Sequence, residues 1–227
     1  MIGQTILKFD ELTSTNDFVK SNILNLDDGT IVLAKTQSKG KGRQGNIWLS
    51  PEGNLYFSIF LKNQQDRKNI FSYITKISVS LVTLLSNYNI DVKIKYPNDI
   101  LINNNKICGI LIESFGYEDI NAVVLGIGIN VNQKDFVDMD YQASSMRMEL
   151  GKDFDIDSIL EEFCSIYNIV EQSDCIHEKY LNSSILLNQH VTYEKNKYFV
   201  ETIDKQGNII LKNNEKIVSV RYNELAF

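Results

Sequence analysis

A glycine-rich basic segment, "TQSKGKGRQGNIW" at positions 36–48, carries the clearest candidate chemistry in the sequence. Three basic residues alternate with three glycines in it: Lys39, Gly40, Lys41, Gly42, Arg43 and Gly45. Backbone N–H groups of such a segment can close around phosphate oxygens, while glycine permits positive φ and the side chains supply charge. The pattern matches neither the P-loop nor the dinucleotide fingerprint. A phosphate receptor and a flexible, solvated loop therefore both remain open on this pattern alone.

The overall charge requires any anion site to be local. The 227 residues include 23 Lys and Arg against 29 Asp and Glu, a formal net charge of -6. This balance argues against a general nucleic-acid binder, which normally carries a basic domain or stripe. The length predicts one domain, or one domain with a small appendage.

Histidine and cysteine offer little catalytic chemistry here. The two histidines, His177 and His190, fall in a predicted polar helix and a predicted strand, and structural or solvated roles are expected for both. The three cysteines are odd in number and widely spaced, which favours reduced thiols over a disulfide framework. No signal peptide is recognised and no segment is expected to approach a membrane span, so a cytoplasmic location is predicted.

Helical and strand patterns predict the elements that position the basic segment. "TSTND" is typical of a helix start capped by Thr13, Ser14 or Thr15. "TIVLAKTQ" and "GNLYFSIFL" predict strands before and after the basic segment. "IFSYITKISVSLVTLLSNY" has apolar residues at helical spacing and predicts an amphipathic helix packed on a sheet.

The second half of the chain predicts further strands. "VKIKYP" is a short strand, "DILINNNKICGILIESF" a hairpin with an asparagine turn, and "NAVVLGIGINVN" a strand. Glycines inside the last strand indicate close approach of a ligand or of another backbone. "DIDSILEEFCSIYNIVEQ" predicts a helix, and short alternating strands follow Asn182, with turns at Lys195–Asn196 and at 206–208.

Four separated blocks resemble the biotin protein ligases in sequence, order and spacing: "TSTND", "KGKGRQGNIW", "KYPNDI" followed by "NNKICGILIE", and "GIGINVN". The resemblance covers essentially the whole chain. It implies an α+β fold, with a mixed β-sheet backed by helices in a catalytic domain at 1–182 and a small C-terminal β-barrel at 183–227. It also implies a two-step reaction. Biotin's carboxylate attacks the α-phosphate of ATP, with magnesium, to give biotinyl-5'-AMP, and biotin then passes to a lysine of a biotin carboxyl carrier protein.

The resemblance assigns three catalytic residues. Arg43 matches an arginine that holds phosphate oxygens, and Lys106 a lysine that contacts both the biotin carboxylate and the α-phosphate. Fixed cations suit this chemistry, because a carboxylate and a polyphosphate repel each other. Asp99 matches a carboxylate that orients the carrier amine or stabilises charge. On the residues alone, Lys106 as a hairpin-turn lysine and Asp99 as a turn cap stay open.

The resemblance also assigns binding residues. Those expected to bind biotin are Ser14, Thr15, Asn16, Gln37, Lys41, Gly42, Arg43, Trp48, Lys106 and Gly109. Those expected to bind the nucleotide are Gly40, Arg43, Asn98, Lys106 and Asn130. Ser14 and Thr15 could equally be helix caps, and Trp48 a core residue. No metal ligands are assigned.

Several departures and rival functions accompany the resemblance. Lys41 stands where arginine is common and Gln44 where a second basic residue often occurs, Tyr96 replaces a usual tryptophan and Cys108 a common alanine. Only thirteen residues precede Ser14, so the DNA-binding domain of some family members is not expected. A homodimer is compatible with the sequence. A lipoate or octanoate ligase or transferase of the same fold, and a non-catalytic biotin sensor, are the alternative functions.

Overall fold

The computed structural model describes residues 1–62, 70–117, 120–136 and 142–225. Within these ranges seven strands form one mixed sheet, in the order β1-β2-β3-β7-β6-β5-β4. The strands are β1 Ile6–Leu12, β2 Ile31–Gln37, β3 Leu55–Lys62, β4 Lys93–Lys95, β5 Asp99–Ile102, β6 Asn105–Tyr117 and β7 Ile120–Ile129. β1 and β2 are parallel, and the other neighbours are antiparallel. The predicted mixed sheet is confirmed.

Helices cover both faces of this sheet. They are α1 Thr15–Ser21, α2 Ile70–Asn87, α3 Met146–Leu150, α4 Ile156–Val170 and α5 Ile176–Ser183. α2 packs on β4, β5 and β6 and against α4 and α5, while α1 contacts β2, β3 and β7. Each buried leucine or isoleucine of α2, such as Ile77 or Leu81, contributes about 2 kcal/mol by leaving water.

α2 corrects one expectation from the sequence. Its 18 residues are long and apolar enough to cross a membrane by length and composition, so the expectation that no segment approaches a membrane span is wrong on those two criteria. Ten of the 18 residues are nevertheless buried by the sheet and its neighbouring helices, which is the pattern of a core helix.

Alternation along β7 divides the sheet into a core face and a site face. Leu125, Ile127 and Ile129 point into the main core with α2. Val124 packs on the other face with Val19 of α1. Because side chains in a strand alternate, Gly126 and Gly128 continue the face of Val124 and leave that part of the sheet bare. The bare area is where the site lies.

The C-terminal β unit, predicted as a small barrel, is a four-stranded antiparallel sheet in the described residues. Its strands are β8 His190–Tyr193, β9 Asn196–Ile203, β10 Ile209–Lys212 and β11 Ile217–Val220, paired in the order β11-β10-β9-β8. The predicted turns are confirmed by positive φ at Lys195 (65°) and Gly207 (84°). The inward side chains of this sheet belong to the same buried cluster as those of α2. The boundary after residue 182 stays a prediction.

The smaller sheet contacts the larger one at the start of the "YPND" segment. The Tyr96 hydroxyl donates a 2.5 Å hydrogen bond to the carbonyl of Gly207, and its ring lies 5.4 Å from that of Tyr222. The Tyr180 hydroxyl donates to the carbonyl of Pro97 at 3.0 Å. Burial raises the pKa of Tyr96 to about 12. Both α5 and the smaller sheet thus fix the backbone immediately before Asn98 and Asp99.

Candidate active site

The four sequence blocks converge on one cleft, on the face of the large sheet that carries α1. The cleft encloses about 480 Å³, including its open mouth. All ten residues predicted to bind biotin line it: Ser14, Thr15, Asn16, Gln37, Lys41, Gly42, Arg43, Trp48, Lys106 and Gly109. Asn98, predicted for the nucleotide, lines it as well. The fold therefore brings residues from α1, the glycine-rich loop and three strands together in one cleft.

Bare sheet forms the floor of the cleft, and Trp48 lies directly on it. Gly109 of β6 and Gly128 of β7 face each other across the strand pair. A Cβ atom on either glycine would lie 2.6 Å from the indole of Trp48, closer than any ordinary contact. The glycines of this strand pair thus leave room for the indole of Trp48, and because they also line the cleft, close approach of a ligand stays a prediction. Trp48 is 9% exposed, so it is a nearly buried residue that also lines the cleft.

Hydroxyl and amide groups form one end of the cleft. The amide oxygen of Gln37 accepts hydrogen bonds from the backbone N–H and the hydroxyl of Thr15, at 2.9 and 3.2 Å. The Ser58 hydroxyl lies 2.7 Å from Thr15 Oγ1 and 2.5 Å from Asn16 Oδ1. Ser14 caps α1, since its Oγ accepts from the Asp17 N–H at 3.4 Å, and it lines the cleft at the same time.

Two residues at this end were missed by the sequence prediction. Ser58 is fully buried in the middle of β3, "LYFSIFLK", and a serine in so apolar a strand was the available signal. Glu113 of β6 accepts a 2.8 Å hydrogen bond from the Asn16 amide. No local pattern identified Glu113, because its partner lies 97 residues away in the chain.

Cationic groups form the other end of the cleft. Arg43 Nη1 donates a 2.7 Å hydrogen bond to the side-chain oxygen of Asn98, whose amide donates in turn to the Ile110 carbonyl at 2.9 Å. Lys106 Nζ lies 2.8 Å from Asp99 Oδ1 and 5.1 Å from the centre of a Trp48 ring. The side chains of Lys106 and Asp99 are 19% and 23% exposed, so this ion pair lies in a partly desolvated setting where charge acts strongly.

The cations of the glycine-rich loop have different partners. The Lys41 ammonium lies 2.6 Å from a carboxylate oxygen of Asp17, which offsets its charge. Arg43 contacts a neutral amide, so that contact leaves its charge uncompensated. Arg43 is therefore the loop cation best able to attract an anion in the cleft.

Two predicted nucleotide residues support the cleft without lining it. Gly40 accepts a 3.0 Å hydrogen bond from the Trp48 N–H, and the Trp48 carbonyl occupies the space where a Cβ on Gly40 would stand. Asn130 is 5% exposed, and its amide donates to the carbonyls of Lys106 and Ser144 at 3.3 and 3.1 Å. Contacts of Gly40 and Asn130 with a nucleotide stay predictions.

A second, wider cavity adjoins the cleft and shares Arg43, Asn98 and Lys106 with it. It encloses about 2090 Å³ including its open mouth, contains Asp99, and extends to Tyr222 near the C-terminal sheet. The cationic end of the cleft is thus open to this wider cavity.

Metal-ligating and thiol chemistry find little support in the described ranges. No group of three or more His, Cys, Asp or Glu side chains that could hold a metal occurs among the described residues. All three cysteines are free, as predicted. Cys108 points away from the cleft into the core, and burial raises the pKa of its thiol well above the usual range.

The mixed sheet thus carries a basic glycine-rich loop over a cleft with hydroxyl and amide groups at one end and cations at the other, which suits a polar ligand with an anionic group. The model of the Biotin/lipoate A/B protein ligase family matches residues 6–130, more than half of the chain. The chain belongs to this family, as its sequence blocks predicted.

Individual relatives agree with this assignment. The bifunctional ligase/repressor BirA of Bacillus subtilis is 34% identical over 168 residues, which cover 71% of this chain and 52% of that protein. The chain thus spans about half the length of the curated relatives it matches. The structure of the biotin protein ligase from Aquifex aeolicus in complex with biotin and ATP superposes with a TM-score of 0.83 at 26% identity, covering 99% of this chain and 98% of that one. The biotin protein ligase of Leishmania major, at 20% identity and a TM-score of 0.66 over 96% and 98% of the chains, shares the fold.

Proposed function

We propose that this protein is an ATP-dependent biotin protein ligase, which activates biotin as biotinyl-5'-AMP and transfers it to a lysine of a biotin carboxyl carrier protein. The observation that carries the proposal is the arrangement of one cleft, with hydroxyl and amide groups at one end and Arg43 and Lys106 at the other. The Aquifex aeolicus neighbour, similar over nearly its whole length, was solved with biotin and ATP bound.

In this proposal the polar end of the cleft binds the ureido ring of biotin. That ring has both donors and acceptors, and the side chains of Ser14, Thr15 and Asn16 offer groups of both kinds. Trp48 and the glycine floor form the apolar wall along the acyl tail. The carboxylate then lies toward Lys106, at the end shared with the wider cavity.

The first step forms the acyl-adenylate. A carboxylate oxygen of biotin attacks the α-phosphorus of ATP, a new P–O bond forms, and the bond to the β-phosphate oxygen breaks to release pyrophosphate. Arg43 and Lys106 offset the repulsion between the two anions and stabilise the charge that develops at phosphorus. By analogy with oxyanion-hole donors, each such group is worth about 3 kcal/mol of barrier.

The second step transfers the acyl group. The uncharged amine of the carrier lysine attacks the acyl carbon, an amide bond forms, and the bond to AMP breaks with loss of the amine proton. The wider cavity gives this lysine an open approach to the shared end of the cleft. Asp99, paired with Lys106, orients the amine and stabilises the positive charge that develops on its nitrogen during the attack.

Magnesium enters this reaction with the ATP phosphates. The described residues offer no cluster of metal ligands, so no step is assigned to a protein-bound ion. A homodimer and a cytoplasmic location remain predictions of the sequence.

The deciding experiment is ATP- and magnesium-dependent labelling of a biotin carrier domain, with lipoate and octanoate tested on their own carrier in parallel. Lys106→Met should lower the rate of biotin labelling by about 100-fold, the equivalent of one lost donor. Lys93→Met is the matched control, because Lys93 is an exposed lysine that lies 3.5 Å from Asp91, away from the cleft lining.

Each outcome has a defined meaning. Biotin labelling that survives in Lys93→Met and fails in Lys106→Met supports the proposal. Labelling by lipoate or octanoate alone overturns the substrate, and biotin binding without labelling indicates a sensor. Full activity of Lys106→Met would remove Lys106 from the mechanism.

A further inference from the structure

A chain of alternating charges connects the glycine-rich loop to the amide end of the cleft. Lys41 Nζ lies 2.6 Å from Asp17 Oδ2, and Asp17 Oδ1 lies 3.1 Å from Lys20 Nζ. Lys20 also lies 2.7 Å from Glu113 Oε1, and the second oxygen of Glu113 accepts from the Asn16 amide at 2.8 Å. The chain therefore starts on the loop and ends on a residue that lines the cleft.

This chain joins three separate parts of the fold. Lys41 belongs to the loop, Asp17 and Lys20 to α1, and Glu113 to the site face of β6, since Glu113 follows Gly109 by two alternations of the strand. The side chains of Asp17, Lys20 and Glu113 are each about 30% exposed, so the network is partly desolvated. Burial raises the pKa of Asp17, but hydrogen bonds from Lys41 and Lys20 lower it, and the net pKa lies below its usual value.

Apart from Trp48, which packs on the glycine floor, the loop has few other contacts with the rest of the molecule. Beyond Lys39, its described backbone hydrogen bonds close on itself, from Gly42 to Asn46, from Asn46 to Arg43 and from Trp48 to Gly40. Side chains provide the ties across the cleft, with Lys41 bound to Asp17 on one side and Arg43 to Asn98 on the other. A phosphate that recruits Arg43 competes for the second tie, because it needs the same guanidinium donors.

We propose that Asp17 is a positioning residue, whose carboxylate holds the glycine-rich loop over the cleft through Lys41 while Arg43 is engaged with the substrate. Glu113 extends this role, because it fixes Lys20 and the amide of Asn16 at the same time. Lys41 thus anchors the loop, and its charge is not available to the phosphate. The assignment rests on the proposed function for its kinetic consequence, but not for the tie itself.

The test removes the ion pair between Lys41 and Asp17 by substituting each partner in turn. The variants are Asp17→Asn, Lys41→Met and the double variant, with the charge-conserving Asp17→Glu as the rescue variant. Asp10→Asn is the control, since it breaks an ion pair of the same length, 2.6 Å to Lys35, between more exposed side chains on β1 and β2. An arginine-specific protease reports cleavage after Arg43 without any substrate, and carrier labelling gives the KM for biotin and kcat.

Asp17→Asn and Lys41→Met should each raise the cleavage rate after Arg43 and the KM for biotin by about two- to fivefold, the range of partly exposed ion pairs. The double variant should be no worse than Asp17→Asn, because that substitution already removes the partner of Lys41. The charge-conserving Asp17→Glu should stay near the parent, and Asp10→Asn should match it.

Equal cleavage rates in the parent and Asp17→Asn would overturn the proposal, as would additive effects in the double variant. An increase in KM without faster cleavage would also overturn it, because the loop would then not be what moves. If the parent labels no carrier, the proposed function fails, but the cleavage rates still decide whether Asp17 holds the loop.

Discussion

Replacing Gly128 by alanine tests whether Trp48 must lie on bare sheet. The new Cβ would stand 2.6 Å from Cε2 and Nε1 of the indole, whereas carbon atoms in contact are about 3.5–4 Å apart. The backbone N–H of Trp48 donates a 3.0 Å hydrogen bond to the Gly40 carbonyl, so the main chain that carries the ring cannot retreat freely. The indole must therefore shift by about 1 Å, and overpacking of this kind typically costs about 1–3 kcal/mol of unfolding free energy.

The measurement is urea unfolding followed by tryptophan fluorescence. Trp48 is the only tryptophan, so the native emission reports the position of this ring alone. Gly126→Ala is the matched control on the same strand and face, because its Cβ would collide with the Asn16 side chain instead of the indole. We expect both variants to lose stability, but only Gly128→Ala to change the native emission spectrum and its quenching by iodide.

A double variant separates collision from a general weakening of the strand. Phenylalanine at position 48 is smaller than indole, so Trp48→Phe combined with Gly128→Ala should recover part of the lost stability relative to the sum of the two single effects. Because this variant lacks tryptophan, its unfolding is followed by circular dichroism. Strictly additive free energies, or an unchanged Gly128→Ala spectrum, would refute the seating of Trp48 on the glycine floor.

Two further substitutions test the supports behind the cleft. The raised pKa of Tyr96, about 12 against an ordinary 10, stabilises the fold below pH 10 and is lost as pH rises toward 12, by on the order of 2 kcal/mol. Tyr96→Phe should flatten part of this alkaline decline in a urea series at increasing pH, and an unchanged decline would contradict it. Asn130→Ala should cost about 2 kcal/mol of unfolding free energy, because it removes hydrogen bonds to two backbone carbonyls, one of them that of Lys106. Urea unfolding measures this, and a neutral effect would contradict the anchoring role.

Local patterns predicted the elements well where one residue type decides the backbone. The hairpin between β5 and β6 was read from its asparagines, and Asn103 and Asn104 have positive φ values of 47° and 67°. The apolar residues at helical spacing predicted α2, and Ile77, Leu81 and Leu84 are buried as expected, whereas Ile70 and Ile74 are only partly buried. Such signals lie within a few residues of one another, so an isolated sequence contains them.

Partners across the fold were not readable in the same way. The sequence located Asn16 in the site but not Glu113 or Ser58, whose contacts with it span 97 and 42 residues. Counting charges also did not distinguish the three basic residues of the loop from one another. The structure pairs Lys41 with Asp17, and that pairing depends on where α1 lies relative to the loop.

The contact between Tyr96 and Gly207 joins two sheets that also share one hydrophobic core. A Cβ on Gly207 would press on Phe71 of α2 at 2.8 Å, and inward residues of the small sheet such as Val200 belong to the main core. The smaller sheet therefore has no hydrophobic core separate from that of the larger sheet among the described residues. Two fragments made by cutting the chain between α5 and β8 would each expose apolar surface that the other normally covers. Neither fragment should therefore fold independently, and the geometry around Asn98 and Asp99 should return only when the two fragments associate.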